Sequence, residues 1–133
     1  MTPMNDHELK QEIIESIRAL PDLILAAENE IVSLRHSLSA AVAFYDDAKL
    51  IATINAVIDG TNEAARKLQQ RRAVAESVEV KTAALAVSKF ENEIAMQEVS
   101  VKHLIKRWQG VIALAELQAA RLNLMAKYQQ KGN

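Results

Sequence analysis

Apolar residues keep a seven-residue beat along most of this chain. From Asp22 to about Ile58 one row holds Ile24, Ile31, Leu38, Tyr45 and Ala52, and the other holds Ala27, Leu34, Ala41 and Ala48. Large residues on one row and alanines on the other suit the close approach of an antiparallel partner helix. From Ala83 the spacing is a stricter 4-3-4-3, through Val87, Phe90, Ile94, Gln97, Val101, Leu104, Trp108, Val111, Ala115, Gln118, Leu122 and Met125. Eleven of these thirteen positions are apolar. That regularity predicts a coiled-coil seam, with Phe90, Ile94, Val101, Leu104, Trp108, Val111 and Leu122 as its main large residues. Gln97 and Gln118 are polar seam positions of the kind that fix register or oligomer number.

The punctuation places the boundaries. Asn5 and Asp6 are suited to cap a first helix with the stripe Ile13, Ile14, Ile17 and Leu20. Pro21 removes a backbone donor and disfavours helix at Leu20, so a kink or break is expected there. The stretch DGTNEAARKLQQRR, residues 59–72, holds a second break. Asp59 and Gly60 are expected to end the long helix, with Gly60 as a left-handed cap, and Thr61 or Asn62 to start the next one. Arg66, one turn beyond Asn62, is placed to lock the corner, for instance onto Asp59. Ser77 marks a further short break. Helices are therefore expected at about 22–58, 62–76 and 79–127, behind an N-terminal helical arm over 1–20. The expected fold is all-α: a long antiparallel helical hairpin or coiled coil over 21–133 with a short connecting helix. At roughly 1.5 Å per residue the two long helices would run about 55 and 70 Å. Leu85, Ile105, Ile112, Leu114, Leu117 and Leu124 fall outside the seam, an apolar surplus that predicts a homo-oligomer or a partner helix.

Composition agrees with few turns: 133 residues contain three glycines and two prolines, and aromatics make up 4%. No cysteine is present, which removes disulfides and thiolate chemistry and fits a cytoplasmic protein. No signal pattern opens the chain and no apolar run approaches the roughly 20 residues that span a bilayer, so no membrane partner is expected. Chemistry is sparse. His7, His36 and His103 lie far apart and lack HxxxH, HExxH or ExxH partners, so neither a metal nor another cofactor is expected. No Gly-flanked serine elbow or phosphate-cradling glycine loop occurs. Asp46 and Asp47 are adjacent, which on a helix turns them about 100° apart. Enzymatic activity is therefore not expected.

Charge changes the picture. Net charge is −1, but residues 1–60 carry ten acids and four bases while 61–133 carry seven acids and twelve bases. Complementary helices packed on each other, or on other copies, account for this, and so does a nucleic-acid face. The candidate face combines Arg66, Lys67, Arg71 and Arg72 with Lys102, Lys106 and Arg107 of KHLIKRW. Like charges at 102 and 106 add nothing to their own helix, and phosphate contact would explain them. Glu63–Lys67 and Glu98–Lys102 are the neutralising i, i+4 pairs.

The stretch GTNEAARKLQ resembles small phage and prophage helical proteins in which G-K-N-x-x-x-R-x-x-Q precedes a heptad-rich helix. Gly60, Asn62, Arg66 and Gln69 match, and Thr61 stands at the lysine. The likeness covers about residues 55–125. It implies a phage accessory protein in the host cytoplasm, often encoded near single-strand annealing or recombination functions. The expectation is a non-enzymatic accessory in DNA recombination or replication that contacts DNA through the basic face. The alternatives are an inhibitor that binds a host protein such as a nuclease or defence complex, and a purely structural oligomer.

Overall fold

The computed structural model describes residues 5–131, with the backbone alone at 131. The chain is all-α: α1 spans Asp6–Ile54, α2 Glu63–Glu76 and α3 Val78–Lys131, with no strand among the described residues. Two compact units form. Unit 1 combines Met1–Asn29 with Glu98–Asn133, and unit 2 is Glu30–Gln97.

Each helix begins where side chains can satisfy its free amides. Asn5 opens α1 with a capping box: its Oδ1 accepts from the Glu8 amide at 2.8 Å, and its own amide donates to the Glu8 carboxylate at 3.3 Å. Asn62 caps α2 by accepting from the Ala65 amide at 2.8 Å. Ser77 alone separates α2 from α3. It leaves helical geometry at ψ 122°, and its Oγ accepts from the Val80 amide at 3.3 Å.

Three boundaries differ from the sequence expectation. α1 continues through Pro21 without the expected break. An interior proline removes one amide and crowds the preceding turn, at about 3 kcal/mol. Here Pro21 is exposed, and so is Ile17, whose carbonyl loses the donor; Leu20 beside it is only 1% exposed. Burial of Ile13 and Leu20 holds the segment helical where local propensity does not. The covered positions Ile13, Ser16, Leu20 and Ile24 are spaced 3-4-4, an eleven-residue step where the later stripe alternates 3 and 4. At its other end α1 stops at Ile54, four residues before Ile58. The Thr53 hydroxyl bonds back to the Lys49 carbonyl at 2.8 Å, and β-branched residues follow. Finally, α3 continues to Lys131, beyond the expected end near 127.

The predicted stripes are the covered stripes. All nine seam positions of α1 between Ile24 and Ala52 are buried or half-buried, as are all eleven of α3 from Ala83 to Gln118, Trp108 included. Leu122 and Met125 depart from this: they are 59% and 50% exposed. Within unit 1, α1 begins at the level of Arg121, whose guanidinium meets Asp6 at 3.1 Å. Leu122 and Met125 lie past that start and lose most of the cover that α1 gives the seam. Unit 1 pairs its two segments antiparallel: Asp6 lies at Arg121, Ile13 beside Ala115 and Gln118, and Ser16 beside Arg107 and Val111. Unit 2 holds a small cluster of Ala48, Val80 and Ala83, closed by Tyr45, Ala52 and Val74.

Replacing Pro21 with alanine tests the account of α1. Because the helix already runs through this position, the variant should be more stable by roughly 1–3 kcal/mol. Thermal unfolding followed by circular dichroism reads this as a higher midpoint; a lower one would mean the proline ring itself is packed.

Candidate functional site

The connector between α1 and α2 is a hydrogen-bonded corner built by one side chain. Gln69, two turns into α2, turns its amide back onto residues 59 and 60. Its Oε1 accepts from the Asp59 amide at 3.2 Å and the Gly60 amide at 3.1 Å, and its Nε2 donates to the Asp59 carboxylate. Arg66 Nε donates to the Gly60 carbonyl at 3.2 Å. Asp59 and Arg66 were both expected at this corner, but not with these partners: Arg66 takes the glycine carbonyl, and Gln69 takes the aspartate.

Gly60 is not in the left-handed region, since no glycine among the described residues has positive φ. The expected left-handed cap is therefore absent, and α1 has already ended at Ile54. What Gly60 supplies is room. A Cβ there would lie 3.0 Å from the Ala65 Cβ and 3.2 Å from the Ala65 carbonyl carbon and the Arg66 nitrogen. Backbone cannot yield as a flexible side chain can, so α2 approaches the connector closely only above a glycine. Gly60, Asn62, Arg66 and Gln69 are thus respectively the clearance, the helix cap and the two clamps of one turn.

The seven basic candidates divide between the units. Arg66, Lys67, Arg71 and Arg72 lie in unit 2, all on exposed positions of α2, a helix with no buried residue. Arg66 is engaged in the corner. Lys67 meets Glu63 at 3.3 Å, a solvent-exposed i, i+4 pair worth a few tenths of a kcal/mol. Arg71 and Arg72 are exposed, and Arg71 lines a depression with Thr53, Lys67, Gln70 and Val74. Lys102, Lys106 and Arg107 lie in unit 1 and are also exposed. Arg107 lines the same two shallow depressions as Glu12, with Glu15 beside it in one of them. Unit 1 as a whole carries eight acids and eight bases, so the charge asymmetry of the sequence is largely cancelled where acidic α1 and basic α3 pack.

A groove of about 660 Å³ lies in unit 2. It is lined by Phe44, Ile51 and Val57, with Asp47 and Glu79 as its charged groups. No group of three or more His, Asp or Glu residues that could hold a metal occurs among the described residues. No helix among them is long and apolar enough to cross a membrane.

Gln69→Ala should destabilise the fold by about 1–2 kcal/mol, since it leaves two backbone amides and a carboxylate without their partner. Gly60→Ala should cost at least about 1 kcal/mol through overpacking against Ala65. Urea unfolding of both variants checks this, and wild-type stability in either would remove the corner from the account.

Comparison with protein-family models, with curated proteins and with solved structures finds no match to this chain.

Proposed function

We propose that the protein is a non-catalytic helical assembly protein, which associates with further copies of itself and presents α2 as a contact element. The supporting observation is the exposed area. One chain of 14.7 kDa leaves 10417 Å² accessible, against about 6,900 Å² for a compact monomer of that mass. The excess is several times the roughly 800 Å² that each partner buries in a standard interface. Among the described residues eight apolar ones are buried, whereas twenty-two large hydrophobic side chains are exposed. Single exposed leucines are ordinary, but stripes of them along a helix are interaction surfaces.

A second reading concerns what α2 contacts. This helix buries no residue, yet it is capped at Asn62 and clamped by Arg66 and Gln69. Val74 is its contribution to the core cluster, and it carries four bases and two acids. A helix fixed in place with its arginines outward suits a phosphate backbone. In the phage setting that the resemblance implies, the ligand is DNA during recombination or replication, in the cytoplasm of the host. Arg71 and Arg72, with Lys67, would make the contacts; Arg66 belongs to the corner. The alternative partner is a host protein such as a nuclease or defence complex, docked on the exposed apolar faces.

Sedimentation equilibrium at micromolar concentration should give a mass of at least twice 14.7 kDa. A monomer at every concentration would remove the assembly reading. Fluorescence anisotropy with labelled single- and double-stranded DNA tests the second reading. Arg71→Gln with Arg72→Gln should abolish a binding that also falls steeply with salt. Absence of binding at low salt would leave the host-protein alternative.

A further inference from the structure

We propose that one flank of unit 1 is a self-complementary docking face for a second copy of this chain, with α1 of each copy lying against α3 of the other. The inference rests on the assembly reading above and names the surface that performs it.

An exposed stripe of α3 and a partly exposed edge of α1 lie side by side on this flank. On α3, Arg107, Gly110, Leu114, Leu117, Leu124 and Tyr128 follow heptad spacing, offset from the seam that α1 covers. The two leucines at 117 and 124 and the tyrosine are 67%, 56% and 69% exposed. On α1 the exposed positions of this flank are Glu12, Glu15, Ala19 and Leu23, while Leu9 is half-buried and Ser16 is covered within the chain itself. The stripe and the edge meet in shallow depressions of 280 and 110 Å³, which Glu12, Ser16 and Arg107 share. The α1 side is acidic, with Glu12 and Glu15. The α3 side is apolar and basic: Lys106 lies four residues before Gly110 and eleven before Leu117, on the same face, and Lys102 is one turn earlier.

Charge selects the occupant. Two α3 stripes facing each other would bring lysines and arginines together. A two-fold arrangement places α3 over the partner's α1, and each copy then matches basic against acidic twice. Gly110 is the independent sign of a close approach. Glycine disfavours the interior of a helix. A Cβ at 110 would meet nothing within 4 Å, so packing inside this chain does not require its absence. A neighbouring helix seated between Arg107 and Leu114 does require it. The same arrangement explains Lys102 and Lys106, whose mutual repulsion gains nothing within one helix.

Sedimentation of the full chain over a range of concentrations tests the face, with circular dichroism to confirm helix content. Leu114→Glu with Leu117→Glu should weaken association at least about tenfold. Glu12→Lys with Glu15→Lys should weaken it, as should Lys102→Glu with Lys106→Glu, and combining the four should restore it to within about threefold of wild type. Gly110→Ala should raise the thermal midpoint measured at concentrations where the chain is monomeric, yet weaken association. A wild type that associates while none of these variants alters it would overturn the face and leave the assembly reading standing. A wild type that is monomeric throughout would overturn both. If the Lys102→Glu, Lys106→Glu variant lost affinity for labelled DNA but associated normally, the face would belong to nucleic acid instead.

Discussion

Burial of one narrow stripe per helix is the constraint on which this protein depends. Helices of 49 and 54 residues have no independent reason to persist in water; an apolar face must be covered. A single facing helix covers only the residues that recur every three and four positions. Those positions are occupied without interruption from Ile24 to Ala52 in α1 and from Ala83 to Gln118 in α3. The same stripe is strong enough to carry α1 through Pro21. It is also too narrow to cover everything apolar, and the uncovered leucines follow from the two-helix geometry rather than from any local irregularity.

The corner at residues 59–69 does a different job. A helical chain that reverses must leave amides and carbonyls without partners at the turn. Here the cost is met by Asn62, Arg66 and Gln69, whose side chains reach the backbone of the turn itself. That places α2 firmly although it buries no residue. The spaced glycine, asparagine, arginine and glutamine that give the sequence its resemblance are thereby accounted for as structure. Thr61 at the usual lysine position makes none of these bonds among those seen at the corner, so its exchange leaves the turn intact.

Long periodic signals were legible and boundary chemistry was not. Every heptad position from Ile24 to Ala52 and from Ala83 to Gln118 is covered, because burial on a helix follows angle and angle follows residue number, whereas the buried Val80 and the half-buried Val74 lie outside those rows. Pro21 misleads because local propensity carries no information on the burial of Leu20, which outweighs it. The end of α1 was set four residues late because Thr53 bonding to Lys49 is a single side-chain choice. Gly60 was read as a conformational residue, whereas it is a steric one; close approach to Ala65 is invisible until α2 is folded back. Gln69 stood in the motif, but its reach across ten residues to Asp59 could not be inferred from spacing.

The charges are the part of the sequence most easily misread. Seven basic residues grouped by sequence suggest one phosphate-binding face, yet they fall into two units with different surroundings. On α2, Arg71 and Arg72 are exposed, with Arg71 beside Thr53 and Val74. In unit 1 two of the bases stand beside carboxylates of the same unit, Arg107 near Glu12 and Arg121 on Asp6. Bases arranged this way are neutralised by protein, whether by their own chain or by a copy of it, and a polyanion would have to displace that acid. Gly110 then weighs on the side of the copy: phosphate backbones are reached by long side chains and need no missing Cβ, whereas a second helix pressed against α3 does.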